Sequence, residues 1–321
     1  MKVAFYTPHM GLRGTEVAIY DYAKFNQTIL GNESIIVYDR VNEWHDDTVI
    51  QKFSDVFKIV PVDAKRNIQE VDKVLLSEKS DAVYIVKGGS PSDGLNPQST
   101  KSLMHVIGMS GPDHRHGSVW AYASYFLKSS CSRGVDIPVV PYMVHLPDVN
   151  DDMREDLGIP RDALVFGRTG GLDTWSIPYA NQVVYEALNR RKDVYFIFQN
   201  THIPFDHERL IRLPATSDMV YKTRFINTCD AMIHSRVEGE SFGLACAEFS
   251  LRNKPVITWG GSPERSHLEI LGEKAHVYNT PQEMLEFLIN FERRFDDYNC
   301  YKDYSPESIM PIFKKVFLDN G

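Results

Sequence analysis

The stretch AMIHSRVEGESFGLACAEFSLRNKPVITWGG (231–261) decides the fold. AMIHSR (231–236) is a short, largely apolar strand-like run, and FGLACAEFSLRN (242–253) is helix-forming. KPVITWGG (254–261) is a second strand that stops at a glycine pair. Strand, helix and strand in that order make a βαβ unit, with its two strands parallel in one sheet. The alternation continues in both directions. ALVFGRTGG (163–171) and VYFIFQN (194–200) read as strands around the helix IPYANQVVYEALNRR (177–191), and PQEMLEFLINFERR (281–294) as a later helix. Nearer the amino end, KVAFYTP (2–8), SIIVYD (34–39), VFKIVP (56–61), DAVYIVKG (81–88), SLMHVIG (102–108) and PVVPYMVHL (138–146) read as strands. TEVAIYDYAKFNQTIL (15–30) is a helix with Thr15 as its N-cap. Most strand runs are continuously apolar, as expected of strands covered on both faces.

The 321 residues fit two domains of roughly 150 residues each. Pro138, Pro141 and Pro147, followed by DVNDD (148–152), mark the linker. The expected fold class is α/β, with two doubly wound Rossmann-like domains facing across a cleft. The expected boundaries are 1–147, 148–304 and a C-terminal helix, 305–321, crossing back to the first domain. That helix, SPESIMPIFKKVFLDN (305–320), is interrupted by Pro311, and with the linker it would form a hinge.

Composition removes several classes of function. The 35 basic and 43 acidic residues give a net charge of −8, with no basic tract to follow a phosphate polymer, so nucleic acid is not an expected partner. No apolar run approaches the roughly 20 residues that span a bilayer. MKVAFYTPHMGLRG (1–14) has too short an apolar run for a signal peptide. Cys131, Cys229, Cys246 and Cys300 are scattered, with no CxxC pair, which suits free thiols in a reducing compartment. The expected location is the cytoplasm, or the host cytoplasm for a virus-encoded chain. No metal site is expected.

Within 231–261, Glu240 and Glu248 are separated by seven residues, and Ser241 and Gly243 stand where loop gives way to helix. The amides of Phe242, Gly243 and Leu244 would then be first-turn donors suited to a diphosphate. Eight helical steps cover about 12 Å, the distance from a sugar across a diphosphate to a ribose. Ala245, Cys246 and Ala247 are small enough for close approach of a ligand. Two glutamates eight apart also occur in ordinary helices; the surrounding string is what singles these out.

That string, R-x-x-G-E-S-F-G-L-A-x-x-E-F followed by N-K-P-V-I-T, resembles the donor-binding signature of GT-B glycosyltransferases, specifically retaining family 4 in its compact form. The resemblance gives Glu240 the donor sugar, Glu248 the nucleotide ribose and the Phe242–Leu244 backbone the phosphates. FGRTGG (166–171) resembles the family's Gly-Arg strand end, which makes Arg168 a phosphate clamp. The family's Lys after this Arg is missing from TGGLDTWSIPYA (169–180). Arg236 is the nearest substitute by motif position, or else part of a structural salt bridge. GLRGTE (11–16) resembles the Gly-rich loop facing the phosphates, through Gly11 and Gly14, although it lacks GxGxxG. DHRHGSVWAYASYFLKSS (113–130) resembles the segment with a cleft-lining His, here His116, with His114 as second choice. Lys87 and Asp93, in KGGSPSDG, fall on the acceptor side.

The implied activity is retaining transfer of a hexose from a nucleoside-diphosphate sugar to a hydroxyl of a glycan or glycoconjugate, with a lean to GDP-mannose. Arg168, Glu240 and His116 would carry the chemistry, and no cofactor is needed. No Asp-x-Asp occurs in the chain, so the enzyme is expected to be metal-independent. A homodimer is left open. The alternatives are an inactive sugar-nucleotide-binding protein and a nucleotide-sugar epimerase on the same fold.

Overall fold

The computed structural model describes residues 1–63, 67–92, 96–294 and 296–319. The chain divides into two compact units, Met1–Met143 with Tyr304–Gly321, and Val144–Asp303. In the first unit, β1 (Lys2–Thr7), β2 (Glu33–Asp39), β3 (Lys58–Val62), β4 (Ala82–Lys87), β5 (Lys101–Val106) and β6 (Val119–Tyr122) form a parallel sheet. Its order is β3-β2-β1-β4-β5-β6. The helices are α1 (Gly14–Thr28), α2 (Asp47–Ser54), α3 (Ile68–Ser77) and α4 (Tyr125–Cys131). Ile35, Ile36 and Val37 on β2, and Ala82, Val83 and Tyr84 on β4, have no exposed surface, because helices cover both faces of these apolar runs.

Two sequence expectations fail here for stated reasons. PVVPYMVHL makes one bridge, Tyr122 to Val139, and no strand. Pro138 and Pro141 carry no amide proton, so a ladder cannot propagate; VWAY (119–122) takes the sixth place. Thr15 does not cap α1: the N-cap is Arg13, and the Thr15 hydroxyl lies 3.0 Å from the Glu16 carboxylate instead.

The second unit repeats the topology. β7 (Leu164–Thr169), β8 (Val194–Gln199), β9 (Leu210–Leu213), β10 (Ala231–His234), β12 (Val256–Trp259) and β14 (His276–Tyr278) form a parallel sheet, ordered β14-β12-β10-β7-β8-β9. The two-residue strands β11 (Gly239–Glu240) and β13 (Glu264–Arg265) pair beside it. The helices are α5 (Ala180–Arg190), α6 (Met219–Thr228), α7 (Leu244–Leu251), α8 (Ser266–Leu271) and α9 (Pro281–Asn290). Each sheet is extended to both sides of its first strand, so a switch point lies between β1 and β4 and another between β7 and β10. Doubly wound sheets hold ligands outside the carboxyl ends of the strands at that point.

The tail belongs to the first unit. α10 (Pro306–Phe313) starts with Ser305 as cap and Pro306 in the first turn, carries Pro311 inside it, and continues as a wider π-type turn over Lys314–Leu318. Phe313 stacks on Tyr22 with ring centres 5.0 Å apart, and Phe317 meets Tyr84 and His105 edge-on. His105 is fully buried in this aromatic cluster; its Nε2 donates to the Val140 carbonyl at 2.7 Å, and the Tyr84 hydroxyl donates to its Nδ1 at 2.6 Å. No helix among the described residues is long and apolar enough to cross a membrane.

Burial pushes the His105 imidazole down to about 3, against a smaller upward pull from the Val140 bond. The unfolded chain binds this proton near 6.5 and the folded chain only near 3, so stability falls as pH drops through that window. One such histidine removes about 2 kcal/mol between pH 7 and pH 5. His105→Gln, whose amide can make both hydrogen bonds, should therefore lose about 2 kcal/mol less than wild type over the same interval. Hydrogen exchange of the β4 and β5 amides, referenced to intrinsic rates, checks this; equal losses would mean that His105 is not held neutral.

Candidate active site

Arg168 stands on β7 at the switch point of the second sheet and is 1% exposed. Its Nη2 donates to the Thr174 carbonyl at 3.1 Å and to the Thr174 hydroxyl at 2.6 Å, while Nε has no partner. Among the described residues no carboxylate lies within ion-pair distance of it. Burial lowers the guanidinium to about 10, and the field of Glu240 opposes that shift. Gly170 turns the chain directly over the guanidinium: a Cβ there would lie 2.5 Å from Nη1.

Glu240 is on β11, not on the helix, so only the last part of the Glu240–Glu248 spacing is helical. Its Oε1 accepts from His234 Nε2 at 3.1 Å, and its Oε2 from Arg236 Nη1 at 3.1 Å. Burial alone would raise the Glu240 pKa, but the His234 bond and the charge of Arg236 outweigh it and hold the carboxyl at about 2. Arg236 also faces Glu238 at 3.7 Å. Of its two expected roles, the salt bridge is present in the structure.

α7 begins at Leu244, with Gly243 as a left-handed N-cap and no side chain capping the first turn. The first-turn amides are thus those of Leu244, Ala245 and Cys246. Phe242 precedes the helix, its carbonyl accepting from the Tyr301 hydroxyl at 3.1 Å, which corrects its expected place among the first-turn donors. Glu248 is 2% exposed on α7; Lys222 of α6 donates to its Oε1 at 2.6 Å, and its Oε2 has no partner. Lys222 escaped the sequence reading because its partner is 26 residues away on another helix. His234 and His267 escaped it for the same reason, although a His ending the apolar strand AMIH was a visible anomaly.

The first-unit candidates form their own groups. Lys87 ends β4 and is buried; its Nζ lies 2.9 Å from His116 Nε2, while His116 Nδ1 donates to the His114 carbonyl at 2.7 Å. His114 Nδ1 is 2.9 Å from the Ser110 hydroxyl. Gly11 packs where a Cβ would lie 2.9 Å from the Trp44 carbonyl, and Gly14 opens α1. Asp93 lies outside the described residues. A cavity of about 810 Å³ in the second unit, lined by Lys254, His276, Phe287 and Tyr298 among others, contains none of the candidates. It lies at the amino ends of β12 and β14, the side of the sheet opposite to the switch-point crevice. Among the described residues no group of three or more His, Cys, Asp or Glu could hold a metal ion.

No family model matches the chain, and no curated protein matches it in sequence. Solved structures share its fold. A glycosyltransferase from Rickettsia africae ESF-5 is 14% identical, with a TM-score of 0.67 over 99% of each chain. Anabaena Alr3699/HepE, solved in complex with UDP and glucose, is 14% identical, with a TM-score of 0.67 over 98% of each chain. A Listeria monocytogenes protein assigned as a UDP-N-acetylglucosamine 2-epimerase is 13% identical, with a TM-score of 0.61 over 100% of this chain and 97% of that one. The fold is that of the GT-B glycosyltransferases, two Rossmann-like α/β units with parallel six-stranded sheets.

The pairing of β11 with β13 that seats Glu240 depends on Gly239, which has φ +78° and would place a Cβ 2.0 Å from the Glu264 carbonyl oxygen. Gly158 has a similar φ of +64° with open space around it. Gly158→Ala should cost about 1–2 kcal/mol from backbone strain alone, and Gly239→Ala at least about 2 kcal/mol beyond that. Chemical unfolding of the two variants checks this; equal costs would show that β11 and β13 can part freely.

Proposed function

We propose that this chain is a retaining glycosyltransferase that moves a hexose from a nucleoside-diphosphate sugar to a hydroxyl of a glycan or glycoconjugate. The observation that carries the reading is Arg168: a buried guanidinium at the switch point with no described carboxylate at ion-pair distance. A charge is stable out of water only when it is paired, and a diphosphate is the anion that the uncapped start of α7 also suits. Glu240 retains two of its lone-pair positions for sugar hydroxyls. The buried, unpartnered Oε2 of Glu248 is the acceptor this reading gives to a ribose hydroxyl. His116 with Lys87, and the Gly11–Gly14 loop, are the first-unit residues this reading gives to the acceptor and to the donor phosphates.

In the reaction the bond from the anomeric carbon to the phosphate oxygen breaks. The acceptor oxygen bonds to that carbon on the same face, and its proton passes to the departing phosphate. Negative charge grows on the diphosphate, where Arg168 and the α7 amides meet it. GDP-mannose is the first donor to test, on the resemblance; UDP-glucose is the second, because Anabaena Alr3699/HepE has been solved with UDP and glucose. An epimerase reading draws on the Listeria neighbour, and product analysis separates transfer, epimerised donor and binding without turnover.

Glu248→Ala should weaken free nucleoside diphosphate by about 10- to 100-fold, since losing hydrogen bonds to a charged acceptor costs about 1.5–3 kcal/mol. Glu240→Gln should leave that affinity within about twofold and lower turnover of the intact donor by about tenfold or more. Calorimetry with free nucleotide and turnover at saturating donor read the contrast; the same pattern from both variants would remove the assigned roles. Activity should also survive EDTA, because a chelator removes neither Arg168 nor backbone amides. A requirement for added manganese or magnesium would count against the mechanism.

A further inference from the structure

Behind Glu240 runs a chain of buried polar groups whose hydrogen-bond directions are fixed when Glu240 is ionised and His234 neutral. An ionised carboxylate only accepts, so His234 Nε2, 3.1 Å from Glu240 Oε1, carries a proton and donates it. The lone pair of neutral His234 then lies on Nδ1, 2.9 Å from the Thr258 hydroxyl, which donates to it. With its proton used, Thr258 Oγ1 accepts from His267 Nε2 at 3.0 Å. The remaining lone pair of the chain, on His267 Nδ1, has no hydrogen-bond partner among the described residues. His234, Thr258 and His267 all have no exposed surface. With His234 neutral, reversing either Thr258 bond alone would set two lone pairs or two protons against each other; only a doubly protonated His234 could reverse both together.

We propose that His234, Thr258 and His267 are positioning residues for Glu240, a one-way hydrogen-bond chain that holds its carboxylate ionised and in a single orientation. Its use in orienting a donor sugar rests on the glycosyltransferase reading; the chain itself does not. The elements around Glu240 are consistent with it. His234 comes from β10, Arg236 from the loop after it and His267 from α8; Arg168 on β7 acts at longer range. Cys246 on α7 also faces this cluster, and the opposing charges are Glu238 and Glu264. Burial keeps both histidines below their ordinary range, His267 at about 3. His267 is also fixed against the α7 cap: a Cβ on Gly243 would lie 3.0 Å from the His267 Cβ. A displaced His267 would therefore disturb the sugar-side carboxylate and the phosphate-side helix start together.

Nitrogen-15 correlation spectra of the imidazoles in the full-length protein test the chain without any assay of activity. Both His234 and His267 should be neutral Nε2–H tautomers at pH 8, and His267 should stay so down to pH 5. A Nδ1–H tautomer, or titration of either ring near its ordinary pKa, overturns the proposal. Thr258→Val cuts the chain while keeping the side-chain shape, and should release the tautomer of His267 while Glu240 still holds His234. Thr258→Ser should restore the wild-type spectrum. In assays with GDP-mannose and UDP-glucose, Thr258→Val should lower turnover at saturating donor about tenfold, leave affinity for free GDP or UDP within twofold, and be largely rescued by Ser. Unchanged turnover, or an equal loss of nucleotide affinity, would refute the positioning role. If neither donor is turned over, the spectra still decide the chain while the functional reading fails separately. If Thr258→Val does not fold, the wild-type and Ser spectra carry the decision.

Discussion

A guanidinium withdrawn from water needs an opposite charge, and Arg168 draws on one that stands beyond contact distance. Its local geometry follows from that constraint. Thr174 supplies a carbonyl and a hydroxyl to Nη2, which fixes the side chain without neutralising it. Gly170 lets the backbone pass over the charged group, where any larger residue would collide with it. Glu240 contributes its field from outside ion-pair range, because Arg236 and His234 already hold both of its oxygens. The result is a positive group kept in place and left with charge to spare. A structural salt bridge would instead have brought the two groups together.

The two glutamates of the motif are prepared differently. Glu240 sits on a strand pair, with one hydrogen bond to each oxygen, so its orientation is fixed before any ligand arrives. Glu248 sits on α7 with one oxygen held by Lys222 and the other buried without a hydrogen-bond partner. On the proposed reading, the carboxylate held from both sides would meet the sugar, whose hydroxyls must be told apart, and the one held from one side the ribose.

Much of this was legible in the sequence, since parallel strands buried on both faces leave continuous apolar runs, as in SIIVYD and VYFIFQN. The run PVVPYMVHL carries the same hydropathy but not the amide protons, so apolarity alone misled. The glutamate spacing was visible as a string. What the string did not reveal was that Glu240 stands on a strand: β11 is only two residues long, and its pairing with β13 arises from a segment about 25 positions later. Contacts such as His234 to Thr258 and Lys222 to Glu248 join separate elements, and no local periodicity encodes them.

The docking of the tail has a consequence for how the chain comes into being. Phe313 and Phe317 complete an aromatic core that also holds Tyr22, Tyr84 and His105, from the first third of the sequence, and Tyr142. In a chain made from its amino end, that core stays unfinished until residues 313–317 have emerged. The second unit, whose sheet draws only on residues 164–278, can assemble in the meantime. Of the two units, the first to begin synthesis is thus the second to close, and a chain released before residue 313 leaves Tyr22 and Tyr84 without their covering rings.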